Sequence, residues 1–195
     1  ETGEEFQLTC DGVEKYEYAT SREWHQVFDG IAGEKYDPVI YANWSDDSKK
    51  LATFRLDRRK TGLFHLLQSL PDTSMRARVW SYEGPLPGED AINIEYYIFD
   101  VETKSKVRVD IAPFADFLAS IYPVWMNGNK ELYSARFVRG YQSIDMFRIN
   151  AGTGKTTKIL TDKSETMIET QTIGCKWTKD ESQFFWTSEC DGWNH

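Results

Sequence analysis

Positive charge is in short supply. Twenty-three lysines and arginines face 31 aspartates and glutamates, a formal net charge of −8. A phosphate-binding surface needs a basic stripe, so nucleic acid is not expected as a partner. Cysteine is scarce too: Cys10, Cys175 and Cys190 are the three, an odd number and too few for a disulfide framework. No Cys/His spacing suits zinc, and no metal or cofactor is expected. Long apolar runs are missing. No stretch approaches the ~18 residues of a membrane span, so none is expected. His25, His65 and His195 lack partner spacing, the pattern of ordinary surface or core histidines.

What is present is a stretch that occurs three times. It reads Trp44-Ser-Asp-Asp-Ser-Lys-Lys-Leu51, then Trp125-Met-Asn-Gly-Asn-Lys-Glu-Leu132, then Trp177-Thr-Lys-Asp-Glu-Ser-Gln-Phe184. Each copy is an aromatic anchor, a polar turn and an apolar strand. The turn residues tolerate left-handed backbone or cap it with their side chains. The strand should pair back on whatever precedes the tryptophan. Such aromatics more often pack between neighbouring sheets than line a channel, so all three are expected in the core. A second element recurs between the copies, an aromatic strand, a turn opened by Asp100 or Asn150, and a basic strand.

The spacing sets the architecture. Trp125 and Trp177 are 52 residues apart, and Asp100 and Asn150 are 50 apart. A unit of about 50 residues holding four strands is a propeller-blade period. The fold class is therefore all-β, a partial β-propeller of three to four four-stranded antiparallel blades. Strands are expected near 51–56, 95–100, 107–111, 132–137, 144–149, 158–160 and 184–187. Residues 5–36 read as the end of one blade and a lead-in. Residues 37–111 read as a blade, 112–161 as a regular blade, and 162–195 as the start of one left incomplete. At 21–36, Trp24, Val27, Phe28 and Ile31 have helical spacing, so that segment is a short helix or an irregular loop. A helical turn is also possible in the connection at 111–123.

Trp44 and Trp125 are 81 residues apart, about 30 too many for the period. The surplus lies between the second and third strands of the first full blade, at 57–92. It reads as a hairpin arm with strands 64–70 and 76–82, hinged at Pro71-Asp72. Its apolar residues, Phe64, Leu66, Leu67, Val79 and Trp80, are too many for an arm free in water. Cys175 and Cys190 flank the last hairpin, but a turn near Asp180-Glu181 puts Cys175 opposite Trp186, so no bridge between them is expected. Asn43-Trp44-Ser45 matches a glycosylation sequon and is read as chance.

Three stretches carry a family resemblance: Trp44 to Asp57, Tyr82 to Thr103, and Phe185-Trp-Thr-Ser-Glu-Cys-Asp-Gly-Trp-Asn-His195. They resemble the N-terminal propeller of dipeptidyl peptidase IV-like members of the prolyl oligopeptidase serine peptidases, with similarity from about Leu8 to His195. The resemblance implies a parent peptidase in which the propeller screens and orients peptides for a C-terminal α/β-hydrolase domain. The hydrolase would carry the Ser-Asp-His triad. This chain has no Gly-x-Ser-x-Gly elbow, so no catalytic residue is expected in it. It also implies a homodimer formed through the arm at 57–92. The family's substrate-amine clamp is a pair of adjacent glutamates. Here only Glu34 falls near that place, followed by Lys35, a departure that leaves dipeptidyl specificity open. Glu169 and Gln171 are further candidates for facing the central channel. The alternative function is a non-catalytic propeller binding a protein or peptide partner.

Overall fold

The computed structural model describes residues 5–20, 40–72, 74–113, 120–169 and 173–195, with the side chains of 120–122 excepted. Among the described residues the chain is all-β and antiparallel, in thirteen strands. The helix-or-loop segment at 21–36 and residues 114–119 of the 111–123 connection fall outside them.

The first sheet holds β1 (Tyr16–Tyr18), β2 (Ala42–Trp44), β3 (Lys50–Asp57), β6 (Asn93–Asp100) and β7 (Ser105–Arg108). β1 and β2 share one edge of β3, pairing respectively with its C-terminal and N-terminal halves. Tyr16–Tyr18 therefore lies in the same sheet as the blade it was expected to precede. The second sheet is regular: β8 (Ser120–Met126), β9 (Glu131–Phe137), β10 (Ser143–Asn150) and β11 (Thr156–Lys163) in that order. β12 (Cys175–Trp177) and β13 (Phe184–Trp186) form a third hairpin, and β4 (Leu63–Gln68) and β5 (Arg78–Glu83) form the arm. The expected strands fall on β3, β6, β7, β9, β10, β11 and β13. The arm strands, expected at 64–70 and 76–82, run over Leu63–Gln68 and Arg78–Glu83, and β7 begins and ends earlier than 107–111.

The repeat has one geometry. Trp44 pairs with Leu51, Trp125 with Leu132 and Trp177 with Phe184. Left-handed backbone occurs in every turn, at Ser48, at Asn127-Gly128-Asn129 and at Glu181. In the first and third copies the hydroxyl after the tryptophan closes the turn. Ser45 accepts from the Lys50 amide at 2.8 Å and donates to its carbonyl at 3.1 Å. Thr178 does the same with Gln183, at 3.1 Å each way. Cys175 stands opposite Trp186, and all three cysteines are free.

The tryptophans part company in burial. Trp125 is buried and Trp177 half-buried, but Trp44 is 51% exposed. The expectation of a uniform core role fails at Trp44. Its strand, β2, is three residues long and pairs with β3 alone.

Two cores lie between layers. Ala52, Leu56, Ile94, Tyr96 and Ile98 of the first sheet pack with Trp125, Leu132 and Ile149 of the second. Ala135, Phe137, Ile144 and Met146 pack with Ile168 and with Trp177, Phe184 and Trp186 of the third. Side-by-side sheets joined face to face through apolar layers are the packing of propeller blades.

Candidate functional site

Antiparallel strands give the molecule two ends. The tryptophan turns occupy one. They are latched in sequence: the Asp46 amide donates to Asn129 Oδ1 at 3.2 Å, and the Asn127 amide donates to the Glu181 carboxylate. The other end carries the connections from β3 to β6, from β9 to β10, and from β11 to β12. These touch one another. The Ile168 amide donates to the Tyr141 carbonyl at 2.7 Å, and the Ser164 amide to that of Gln142 at 3.0 Å. Pro85, Leu86, Pro87, Glu89 and Ala91 face Phe137, Val138, Arg139 and Tyr141 across a groove of about 300 Å³.

Glu169 lies at this end and is exposed. Its amide donates to Glu189 Oε2 at 3.4 Å, following the fully buried Ile168. Glu34 and Gln171 lie outside the described residues, so of the three candidates the structure places Glu169 alone.

The arm rises from the same end. Its register runs from Leu63↔Glu83 to Gln68↔Arg78, with the turn centred beyond Pro71. Alternation splits the expected apolar patch over two faces, since neighbours along a strand point opposite ways. Phe64, Leu66 and Trp80 share one face with Tyr82. There the Phe64 and Tyr82 rings sit 5.4 Å apart, Trp80 Nε1 donates to Gln68 at 3.0 Å, and Arg78 lies over the Trp80 ring. This face is half-buried by its own contacts. Leu67 and Val79 are opposite one another on the other face, 66% and 61% exposed, with Leu63 beside them and Leu70 and Met75 toward the tip. The exposed apolar face of the paired strands is therefore Leu63, Leu67 and Val79, of which sequence reasoning found two, and Leu70 and Met75 are exposed beyond the last pair. The missed signal was parity: Leu66 and Leu67 cannot face the same way in any register.

The base of the arm is ionic. The Glu83 carboxylate is buried and meets Lys15 Nζ at 3.0 Å and Arg58 at 3.4 Å. Arg58 also reaches Glu17 at 2.9 Å. Backbone bonds reinforce the joint, from the Arg58 amide to Lys15 O at 2.8 Å and from the Gly84 amide to Gly62 O at 3.1 Å. Two cations and two carboxylates thus rivet the arm to the segment leading into β1.

A second charged cluster sits along β1. The buried Arg55 guanidinium lies 3.4 Å above the Tyr16 ring and donates to Asp11 Oδ2 at 3.1 Å and to the Tyr16 carbonyl at 3.2 Å. Lys106 meets Asp11 Oδ1 at 2.7 Å, and this hydrogen bond holds the Asp11 carboxyl below the usual range. Burial pushes the Tyr16 phenol up to about 12, helped by its hydrogen bond to Glu95 at 2.8 Å. Every charge named here has an opposite partner, so the cluster reads as a strut rather than a reacting centre. Among the described residues no three His, Cys, Asp or Glu are placed to hold a metal, and no helix is long and apolar enough to cross a membrane.

Solved structures share this arrangement. A dipeptidyl peptidase 4 from Porphyromonas gingivalis superposes with a TM-score of 0.72 at 19% identity, over 97% of this chain and 26% of that one. A protein assigned as a dipeptidyl aminopeptidase IV from Bacteroides ovatus superposes with a TM-score of 0.71 at 18% identity, over 96% and 25%. The chain thus spans about a quarter of either. No curated protein matches it in sequence. The model of the dipeptidyl peptidase IV N-terminal region matches residues 2–195. The chain belongs to the dipeptidyl peptidase IV N-terminal region family.

Proposed function

We propose that this chain is the non-catalytic propeller portion of a serine exopeptidase of the dipeptidyl peptidase IV type, gating and orienting peptides for a C-terminal α/β-hydrolase domain. The family match across residues 2–195 carries the reading. Proteolysis needs a nucleophile, a base and an oxyanion hole, and the chain has no Gly-x-Ser-x-Gly elbow to supply the first. The chain alone therefore hydrolyses no dipeptidyl-anilide, and the parent enzyme does. If the parent's reading frame holds no such elbow and the purified parent is inert, the alternative of a propeller that only binds a protein or peptide takes over.

Glu34 is the proposed contact for a substrate's free amine. In the parent, Glu34→Gln should raise KM for a free-amine substrate and leave N-acylated peptides unaffected; unchanged kinetics would return Glu34 to an ordinary loop.

The arm at 57–92 is proposed as the contact of a homodimer. The exposed face of Leu63, Leu67 and Val79 supports this, because a two-stranded hairpin is marginal in water without something to lean on. Replacing residues 65–81 by a Gly-Ser turn keeps the ionic base and removes Leu67 and Val79 from this face. The parent should then sediment as a monomer, and an unaltered dimer would place the contact elsewhere.

A further inference from the structure

The groove at the arm end has walls of unequal chemistry. One wall is Pro85-Leu86-Pro87. Proline has no amide hydrogen, and the Leu86 amide is already bonded to Glu89 Oε2 at 2.9 Å. On the opposite wall the Val138 amide bonds to Ser143 O and the Tyr141 amide to Val138 O, each at 2.9 Å. The walls thus leave few backbone donors to offer a ligand. They offer apolar surface instead: Leu86 is 50% exposed and Val138 41%, and the Phe137 and Tyr141 rings pack 5.5 Å apart behind them. Glu89, the carboxylate lining the groove, is engaged by the Leu86 amide. Arg139 is exposed, lines the groove and has no ion pair among the described residues.

We propose that this groove binds an extended peptide through an apolar side chain followed by a carboxylate side chain. The apolar side chain lies between Leu86 and Val138, and the carboxylate meets the Arg139 guanidinium. About 300 Å³ is the lower end of ligand-site volumes. The Arg139 guanidinium has no ion-pair partner among the described residues, and the Glu89 carboxylate that shares the groove is held by the Leu86 amide, so a ligand carboxylate beside apolar bulk is the group this cleft can still pair. The inference deepens the peptide-handling reading and rests on it, but its test is equilibrium binding, which does not depend on catalysis anywhere in the parent.

The probes are fluorescein-labelled pentapeptide amides of alanine ending in leucine-glutamate, leucine-glutamine or alanine-glutamate, titrated into the 195-residue chain and followed by anisotropy. The leucine-glutamate probe should bind about fivefold more tightly than the leucine-glutamine probe, an advantage that shrinks with salt. Arg139→Gln should abolish that preference and leave the leucine-glutamine affinity in place. Leu86→Ala should remove the preference for leucine over alanine. Both side chains are exposed, so both variants should keep the wild-type circular dichroism. Equal affinity for the glutamate and glutamine probes in the wild type, or a preference that survives Arg139→Gln, would overturn the proposal. So would protection of Leu86 and Arg139 by the hydrolase domain in the intact parent.

Discussion

Two residues show how single atoms set the tolerance of this chain. The first is Gly154, at φ +70. A Cβ there would lie within van der Waals collision of the Arg108 carbonyl oxygen and of Val107. The glycine carbonyl accepts from the Asp110 amide at 2.8 Å, so the close approach joins the first sheet to the second. Gly154→Ala meets both a strained backbone and an immovable neighbour, and should cost at least about 1–3 kcal/mol in urea unfolding. The second is Tyr16. Its phenol is pushed up to about 12, first by burial and then by Glu95, against ~10 in an unfolded chain. The folded state therefore holds the proton more tightly. The resulting stability is whole below pH 10 and fades as pH rises toward 12. Tyr16→Phe has no proton to lose there, so the stability gap between wild type and variant should narrow across that window. A constant gap would show that the phenol is not linked to folding.

At the scale of elements, the hairpins were legible and their surroundings were not. The pairing of Trp44, Trp125 and Trp177 with the residue seven positions on follows from local turn chemistry, which a sequence carries in consecutive residues. The arm was legible for the same reason, as two apolar runs about a proline hinge. Its ionic base was not. Lys15, Glu17, Arg58 and Glu83 are far apart in sequence, and nothing local marks them as partners. Nor does anything local show that Tyr16–Tyr18 joins β3, a contact held by Arg55 reaching back to Asp11. The base has a measurable consequence. Glu83 is the better buried of its two carboxylates, at 4% side-chain exposure against 29% for Glu17. Glu83→Gln leaves Arg58 in a buried site with one carboxylate fewer, which costs about 2–4 kcal/mol once the half-exposed Lys15 is allowed for. Hydrogen exchange should quicken at the Arg58 and Gly84 amides more in Glu83→Gln than in Glu17→Gln. Equal rates in the two variants would mean that the backbone bonds, and not the charges, hold the arm.

Across the whole molecule, the sheets are coupled by bonds as well as by apolar packing. Trp125 Nε1 donates to the Asn43 carbonyl at 3.1 Å, and Asn43 Nδ2 donates to the Pro123 carbonyl at 2.7 Å, a reciprocal pair across the first seam. The side chain of the sequon asparagine is thus engaged in the fold. The apolar core behind the pair runs without a break from Leu56 and Ile98 to Leu132 and Ile149. Such a seam leaves neither sheet a complete core of its own, so the two should unfold as one unit. Tryptophan fluorescence and far-ultraviolet circular dichroism should then give a single coincident transition in urea. Asn43→Ala strands the Pro123 carbonyl and should lower stability by about 1–2 kcal/mol. Because the lost bond belongs to the seam, the whole transition should move to lower urea with its slope unchanged. Two separated transitions, with Asn43→Ala shifting one of them, would mean that each sheet holds its own core and that the seam only aligns them.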